Sequence, residues 1–303
     1  MTGFKPLSSS ESATRAFAVG GLSVVFVWLL LLCFPICFSA QTILDDLRNK
    51  IAVGSTEEKR NALFEIRVLH SEEAARLAIP ALSDPLEMVR ATAVSSVVFL
   101  PPSQAVKLLT PLLNDPASFV RRETAFALGE VGDRSATAAL VQDLQREKEI
   151  ENRSAAAMAL GKVGGAETIE PLLAILTKKP SEPEQFVRAT AARSIGEIAQ
   201  AIRSGRRQTV TPQDFLPEKY KNSLGANISS MEIPQGLRTA IPVLGKVLEN
   251  SRESSDTRRG AAFALGAIGD SRSAHLLRSH VNGEDPYLGE ICKEALLSFS
   301  RPN

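Results

Sequence analysis

Arg121-Arg122-Glu123-Thr124-Ala125-Phe126-Ala127-Leu128-Gly129 decides how this chain is read. It returns as Arg258-Arg259-Gly260-Ala261-Ala262-Phe263-Ala264-Leu265-Gly266 and as Arg153-Ser154-Ala155-Ala156-Ala157-Met158-Ala159-Leu160-Gly161. Further copies start at Arg188, running through Gly196, and in weaker form at Arg90 and Arg60. Successive arginines stand 30, 31, 32, 35 and 70 residues apart, and the last interval holds an insertion. A degenerate copy between Asp285 and Phe299 has Ile291 where the arginine falls. A fixed period of about 20–50 residues marks a chain built from stacked supersecondary units.

Each unit reads as two helices. In the third copy Asp115 is a suitable N-cap and Pro116 suits the first helical position. Val120, Ala127, Leu128 and Val131 follow helical spacing on one face. Gly129 and Gly132 are expected to end that helix, with Asp133 capping the next, and Gly269-Asp270 repeats the device. The second helix carries a Pro-Leu element: Pro80-Ala81-Leu82, Pro111-Leu112-Leu113, Pro171-Leu172-Leu173 and Pro242-Val243-Leu244. Proline inside a helix costs about 3 kcal/mol, so these prolines are expected near helix starts, where amides lack intrahelical partners. One helix pair cannot bury both its faces, so pairs must stack. Thr42 to Ala52, with Ile43, Leu44, Leu47 and Ile51 on one stripe, reads as an N-terminal cap, and the degenerate last copy as the C-terminal one. The expectation is an all-α superhelix of about six pairs, right-handed and without a sheet.

Asp-Pro, Val-Arg, an Ala-rich stretch, Leu-Gly, Gly-Asp and a Pro-Leu helix together resemble the HEAT repeat, and more narrowly the short HEAT-like repeat named after phycobilisome lyases. The resemblance covers roughly residues 42–299, with Asp115–Leu144 and Thr257–Val281 as its best copies. It implies an α-solenoid. Function sits in sites grafted on such folds, so the resemblance leaves activity open. The repeated arginines Arg60, Arg90, Arg121, Arg153, Arg188 and Arg258 have two readings: an anion-gripping surface, or a structural ladder pairing with acids or carbonyls of the adjacent repeat. The ladder is preferred, because a position fixed by the fold repeats whether or not a ligand exists.

Composition narrows the rest. Of 303 residues, 44% are hydrophobic, 23% charged and only 5% aromatic. Lys+Arg is 35 against Asp+Glu 34, so no nucleic-acid partner is expected, since polyanion binders are clearly basic. Residues 1–40 read as a targeting segment: Ala16 to Phe38 carries no charge, Lys5 and Arg15 precede it, and Ser39-Ala40 follow. The run is longer than a signal-peptide core and reaches the roughly 20 residues that span a bilayer. Both a cleaved signal and an uncleaved membrane anchor remain open, and either places the body, 41–299, outside the cytoplasm. Residues 300–303 form a tail. Beyond Cys33 and Cys37 the body holds a single cysteine, Cys292, on an apolar stripe with Leu288, Ala295 and Phe299, so an internal disulfide is excluded.

The fifth copy is interrupted by residues 202–236. A loop this long is either functional or a tolerated insertion. If functional, Arg206, Arg207, Phe215, Leu216 and Tyr220 are its candidate partner-binding residues, aromatic anchors in a basic context. Asn152-Arg153-Ser154 and Asn227-Ile228-Ser229 are glycosylation sequons. No catalytic, cofactor or metal site is expected. Some HEAT-like proteins, deoxyhypusine hydroxylase among them, hold iron on repeated His-Glu pairs. Here His70, His275 and His280 are followed by Ser71, Leu276 and Val281. His275, His280 and Glu284 form at most a chance cluster. The main expectation is a non-enzymatic, exported or membrane-tethered scaffold that binds protein partners through the second helices of successive repeats. The alternative is a lyase-like chromophore-handling protein, or a deoxyhypusine-hydroxylase-like relative lacking its ligand pairs.

Overall fold

The computed structural model describes residues 42–204 and 233–300. The expectations for residues 16–38, for Asn227 and for Arg206, Arg207, Phe215, Leu216 and Tyr220 lie outside those residues. Every regular element among the described residues is helical. The chain divides into two compact units, one up to Ala62 and one from Leu63 onward. The described part of the first unit holds α1 (42–53) and the beginning of α2 (Thr56–Leu69). A capping box starts α2: the Glu58 carboxylate accepts from the Ser55 N–H at 2.8 Å, and Ser55 Oγ accepts from the Glu58 N–H at 3.4 Å. Of the expected α1 stripe, Leu47 and Ile51 are buried, whereas Ile43 is exposed.

The second unit is two layers of helices. The first layer contains α4 (Glu87–Ser96), α6 (Ser118–Val131), α8 (Ile150–Val163), α10 (Gln185–Ser204), α12 (Ser255–Ile268) and α14 (Pro286–Ser300). The second contains α3 (Glu72–Leu77), α5 (Pro102–Leu109), α7 (Thr137–Arg146), α9 (Ile169–Leu176), α11 (Gln235–Glu249) and α13 (Ala274–Arg278). First-layer helices pack against their successors, and α5, α7, α9, α11 and α13 each pack against a neighbouring first-layer helix. Leucines and isoleucines such as Leu128, Leu140, Leu160, Leu172 and Ile195 are fully buried between the layers.

Several local expectations change. Gly129 does not end α6. It lies inside the helix, which closes at Gly132 in the left-handed conformation (φ 65°), whose N–H donates to the Leu128 carbonyl. Gly129 serves a different purpose: a Cβ there would sit 2.9 Å from the Ala159 Cα of α8. The same contact recurs at Gly161, where a Cβ would meet Ser194 Oγ at 2.7 Å, and at Gly266, where it would meet Ala295 Cβ at 2.4 Å. Leu-Gly is thus the place where consecutive first-layer backbones approach, and only hydrogen fits between them.

Asp115 is not the N-cap of α6 either. Ala117 holds that position, and the Asp115 carboxylate accepts from its N–H at 2.9 Å, closing the turn two residues earlier. The prolines divide. Pro80 and Pro111 stand at the start of 3-10 turns that follow α3 and α5, and Pro171 lies in the first turn of α9. Pro242 is inside α11. It is tolerated because Pro242 and Arg238, whose carbonyl loses its donor, are both exposed to water. At the insertion, α10 runs on to Ser204 and α11 begins at Gln235, so the interruption is shorter at both ends than 202–236.

Candidate functional site

Arg90, Arg121, Arg153 and Arg188 sit in the first turns of α4, α6, α8 and α10, beside the loops that join repeats. Arg90 donates from Nε and Nη2 to the two Asp115 oxygens, each at 2.8 Å, and from Nη1 to the Asp84 carbonyl at 2.8 Å. Arg121 donates to Glu147 at 2.6 and 3.2 Å and to the Asp115 carbonyl at 3.0 Å. Arg153 reaches Glu184 at 2.5 Å. Arg90 and Arg121 therefore brace the loop before their own helix and grip the acid in the corresponding loop of the next repeat, while Arg153 makes the grip on the acid. The planar fork is what allows one side chain to do both.

Arg188 extends the pattern across the insertion. It is 1% exposed and pairs with Glu253, itself buried, through Nε at 2.9 Å and through Nη2. Its Nη1 donates to the Ile175 and Lys178 carbonyls at 2.7 and 2.9 Å, and its Nη2 to Leu176 at 3.1 Å. One buried cation thus closes the C-terminus of α9, leaves from α10 and holds the loop before α12. Arg203, near the end of α10, adds a second tie by donating to the Ala267 carbonyl at 3.1 Å at the end of α12.

At the two ends the row departs from the expected residues. Arg258 donates to the Leu248 carbonyl at 2.9 Å, while Arg259 takes the acid, Asp285, at 3.1 and 3.0 Å. Arg60 is exposed on α2. Its copy is out of register: Ser96 Oγ donates to the Leu63 carbonyl, so Leu63 occupies about the level that Gly161 holds against Ser194. The sequence reading assigns none of the acids Asp115, Glu147, Glu184, Glu253 and Asp285 to its arginine. The signal was available, since Asp115, Glu147 and Asp285 lie 25, 26 and 26 residues after their arginines.

The electrostatics follow from this packing. Burial works to raise the Glu147 carboxyl, but donation from Arg121, Asn152 and the Glu149 and Lys148 amides outweighs it and holds the group down at about 2. One turn earlier, Asp143 has lost water without gaining such donors. Burial, then the Glu147 charge, push it up to about 7. Asn152 is buried and donates to the Ser118 carbonyl at 3.0 Å. Its sequon is therefore sequestered within α8 in the folded chain.

The remaining candidates have local partners. His275 Nδ1 is 2.8 Å from the Arg272 carbonyl, and His280 Nδ1 is 2.9 Å from that of Leu276. Among the described residues no group of three His, Cys, Asp or Glu is placed to hold a metal ion. Cys292 is buried, and burial pushes its thiol up to about 11 against the pull of Arg258. The second layer leaves side chains of mixed chemistry in water: Lys107, Gln142, Arg146, Ala174, Pro242, Lys246 and Arg278 are exposed on α5, α7, α9, α11 and α13. Such a face offers hydrogen-bond donors around small apolar side chains.

Comparisons agree with the architecture. A family model described as HEAT repeats matches residues 44–128 and 109–196, and one described as the PBS lyase HEAT-like repeat matches 257–283. No curated protein sequence matches the chain. Among solved structures, the archaeal HEAT-like repeats protein from Thermococcus onnurineus NA1 is similar with a TM-score of 0.52 at 10% identity, covering 85% of this chain and 97% of that one. The complex of CpcE and CpcF of phycocyanin lyase from Nostoc sp. PCC7120 gives 0.46 at 19% identity, covering 85% and 88%. Human deoxyhypusine hydroxylase gives 0.35 at 16% identity, covering 87% and 98%. With its glycine contacts, inter-repeat arginines and matched repeats, this chain belongs to the HEAT-repeat family.

Proposed function

We propose that the chain is a non-enzymatic scaffold that holds protein partners on the outward faces of α5, α7, α9, α11 and α13, and that residues 16–38 carry it to or across a membrane, with the repeats outside the cytoplasm. One observation carries the scaffold reading. The joints between repeats are braced by Arg90–Asp115, Arg121–Glu147, Arg153–Glu184, Arg188–Glu253 and Arg259–Asp285, while the second-layer face beside them is left exposed. A surface fixed before a partner arrives loses little conformational entropy on binding. The uncharged stretch from Ala16 to Phe38, behind Lys5 and Arg15, supports the membrane part.

Site-specific photocrosslinking tests the scaffold. A photoreactive residue at Gln142 or Lys246, on the second layer, is expected to capture a discrete protein in cells. The same residue at Glu151 or Arg193, on the first layer, is expected to capture none. Equal labelling from both layers, or none from either, would count against the proposal. A reporter fused after residue 45 tests the membrane part separately, and its retention in the cytoplasm would refute it.

A further inference from the structure

The exposed large apolar side chains are unevenly distributed along the chain. Ile43, Val53, Phe64, Val68, Leu69, Leu86 and Met88 fall between residues 43 and 88, whereas the rest of the described chain adds only Phe186, Tyr287 and Leu297. Within the second unit the densest group is on the last turns of α2. Phe64 is 62% exposed and Val68, one turn later on the same side, 59%, with Leu69 next to it. Exposed charges flank the Phe64–Val68 ridge, Arg67 on one side and Glu65 on the other, between Val68 and Leu69. An isolated monomer gains nothing by presenting Phe, Val and Leu to water on adjacent turns, and such groupings mark interaction sites.

The shape and the position in the chain narrow the occupant. Phe64 and Val68 lie along one helix, which is convex, and a convex apolar ridge with charged side chains on both flanks suits a headgroup–acyl boundary. It is poorly suited to receive a partner helix, which needs a groove. The uncharged run from Ala16 ends at Phe38, four residues before α1 begins at Thr42. Four extended residues reach only about 14 Å. A bilayer that held that run would be the apolar surface nearest in sequence to α2.

We propose that the C-terminal turns of α2 seat in a phospholipid interface, with Phe64 and Val68 entering the acyl boundary and Arg67 and Glu65 held at headgroup level on either side. This rests on the reading of residues 16–38 as a membrane segment. The test uses the full chain, in vesicles of phosphatidylcholine and phosphatidylglycerol, with Trp28→Phe to remove the only native tryptophan. Phe64→Trp and, separately, Val68→Trp report the face, and Tyr287→Trp, at an exposed site far along the chain, is the control. Lipids brominated in the acyl chain are expected to remove about half of the emission at positions 64 and 68 and little at 287, as for a side chain buried at the interface. A chain that fails to float with vesicles overturns the membrane reading and this proposal together. A chain that floats while positions 64 and 68 are as unquenched as 287 overturns the seat alone. A blue-shifted but unquenched signal also overturns it, by showing that protein covers the face: the chain's own apolar run or a second copy.

Discussion

Replacing Gly161 with Ala isolates the contact that spaces the repeats. In an exposed helix interior the change would stabilise by about 1 kcal/mol through propensity. Here the new Cβ would lie 2.7 Å from Ser194 Oγ, 2.8 Å from its Cβ and 3.1 Å from its Cα. Carbon contacts rest at about 3.5–4.0 Å. Rotating the Ser194 hydroxyl away therefore does not suffice, and α8 and α10 must separate by several tenths of an ångström. Overpacking of this kind costs about 1–3 kcal/mol, so the net expectation is a loss of about 1 kcal/mol where propensity alone forecasts a gain. Chemical denaturation followed by circular dichroism measures it. Gly236→Ala is the control, because its Cβ would come no closer than 3.4 Å to Ile169, and it is expected to be neutral or mildly stabilising. Adding Ser194→Gly to Gly161→Ala removes the obstructing Cβ, so the pair should be less destabilised than the sum of the single changes. If Gly161→Ala is more stable than the parent and shows no coupling to Ser194, close approach does not explain the Leu-Gly repeat.

Four further outcomes follow from the joints and the insertion. The Asp143 carboxyl, raised from 3.8 to about 7, binds a proton in the fold that the unfolded chain has released between those values, so its contribution to stability falls as pH rises through that window. Asp143→Asn should accordingly raise the denaturation midpoint at pH 8 and leave it unchanged at pH 4. Glu147 has the opposite sign: lowered from 4.5 to about 2, it stabilises above the first value and loses that contribution as pH falls toward the second, so Glu147→Gln should be destabilised at pH 7 and converge on the parent near pH 2. Arg259→Ala should remove the two bonds its guanidinium donates to Asp285, leaving those from the Tyr287 and Leu288 amides, whereas Arg258→Ala should remove only the tie to the Leu248 carbonyl, a smaller loss in thermal melts at low ionic strength. Replacing residues 206–232 with a ten-residue Gly/Ser linker should cost less than about 1 kcal/mol, since closure entropy changes slowly with length. Unfolding of that variant would show that the insertion belongs to the core.

The repeat was legible because solenoid packing imposes one chemistry on one position again and again. Arg121, Arg153 and Arg188 recur with Ala-Leu-Gly or its equivalent after them, since each meets the same kind of neighbour. The partners were harder to see. Asp, Glu and variable spacing serve equally well as acceptors, and inter-repeat loops tolerate length changes, as the 31 residues from Arg153 to Glu184 and the 65 from Arg188 to Glu253 illustrate. Gly129 was misread because sequence alone does not distinguish a glycine that permits a left-handed turn from one that permits close approach; Gly132, three residues on, is the former. Arg60 looked like a ladder member only because its arginine spacing matched, while the packing level of α2 had shifted. Apart from the Pro-Leu element, the outward side chains of the second layer do not repeat, as the fold does not dictate which polar side chains meet solvent.

The central claim is that ionic struts between repeats lock the stack that presents this face, and Arg188–Glu253 is the most buried of them. A double-mutant cycle with Arg188→Ala, Glu253→Ala and the pair, read by equilibrium denaturation, measures it directly. Either single change leaves a charge buried without its counterion, at about 3–5 kcal/mol. Losing both should cost clearly less than the two added together, with a coupling of at least about 2 kcal/mol and loss of hydrogen-exchange protection in both α9 and α12. Additive single effects, with protection lost only in α10, would contradict the account.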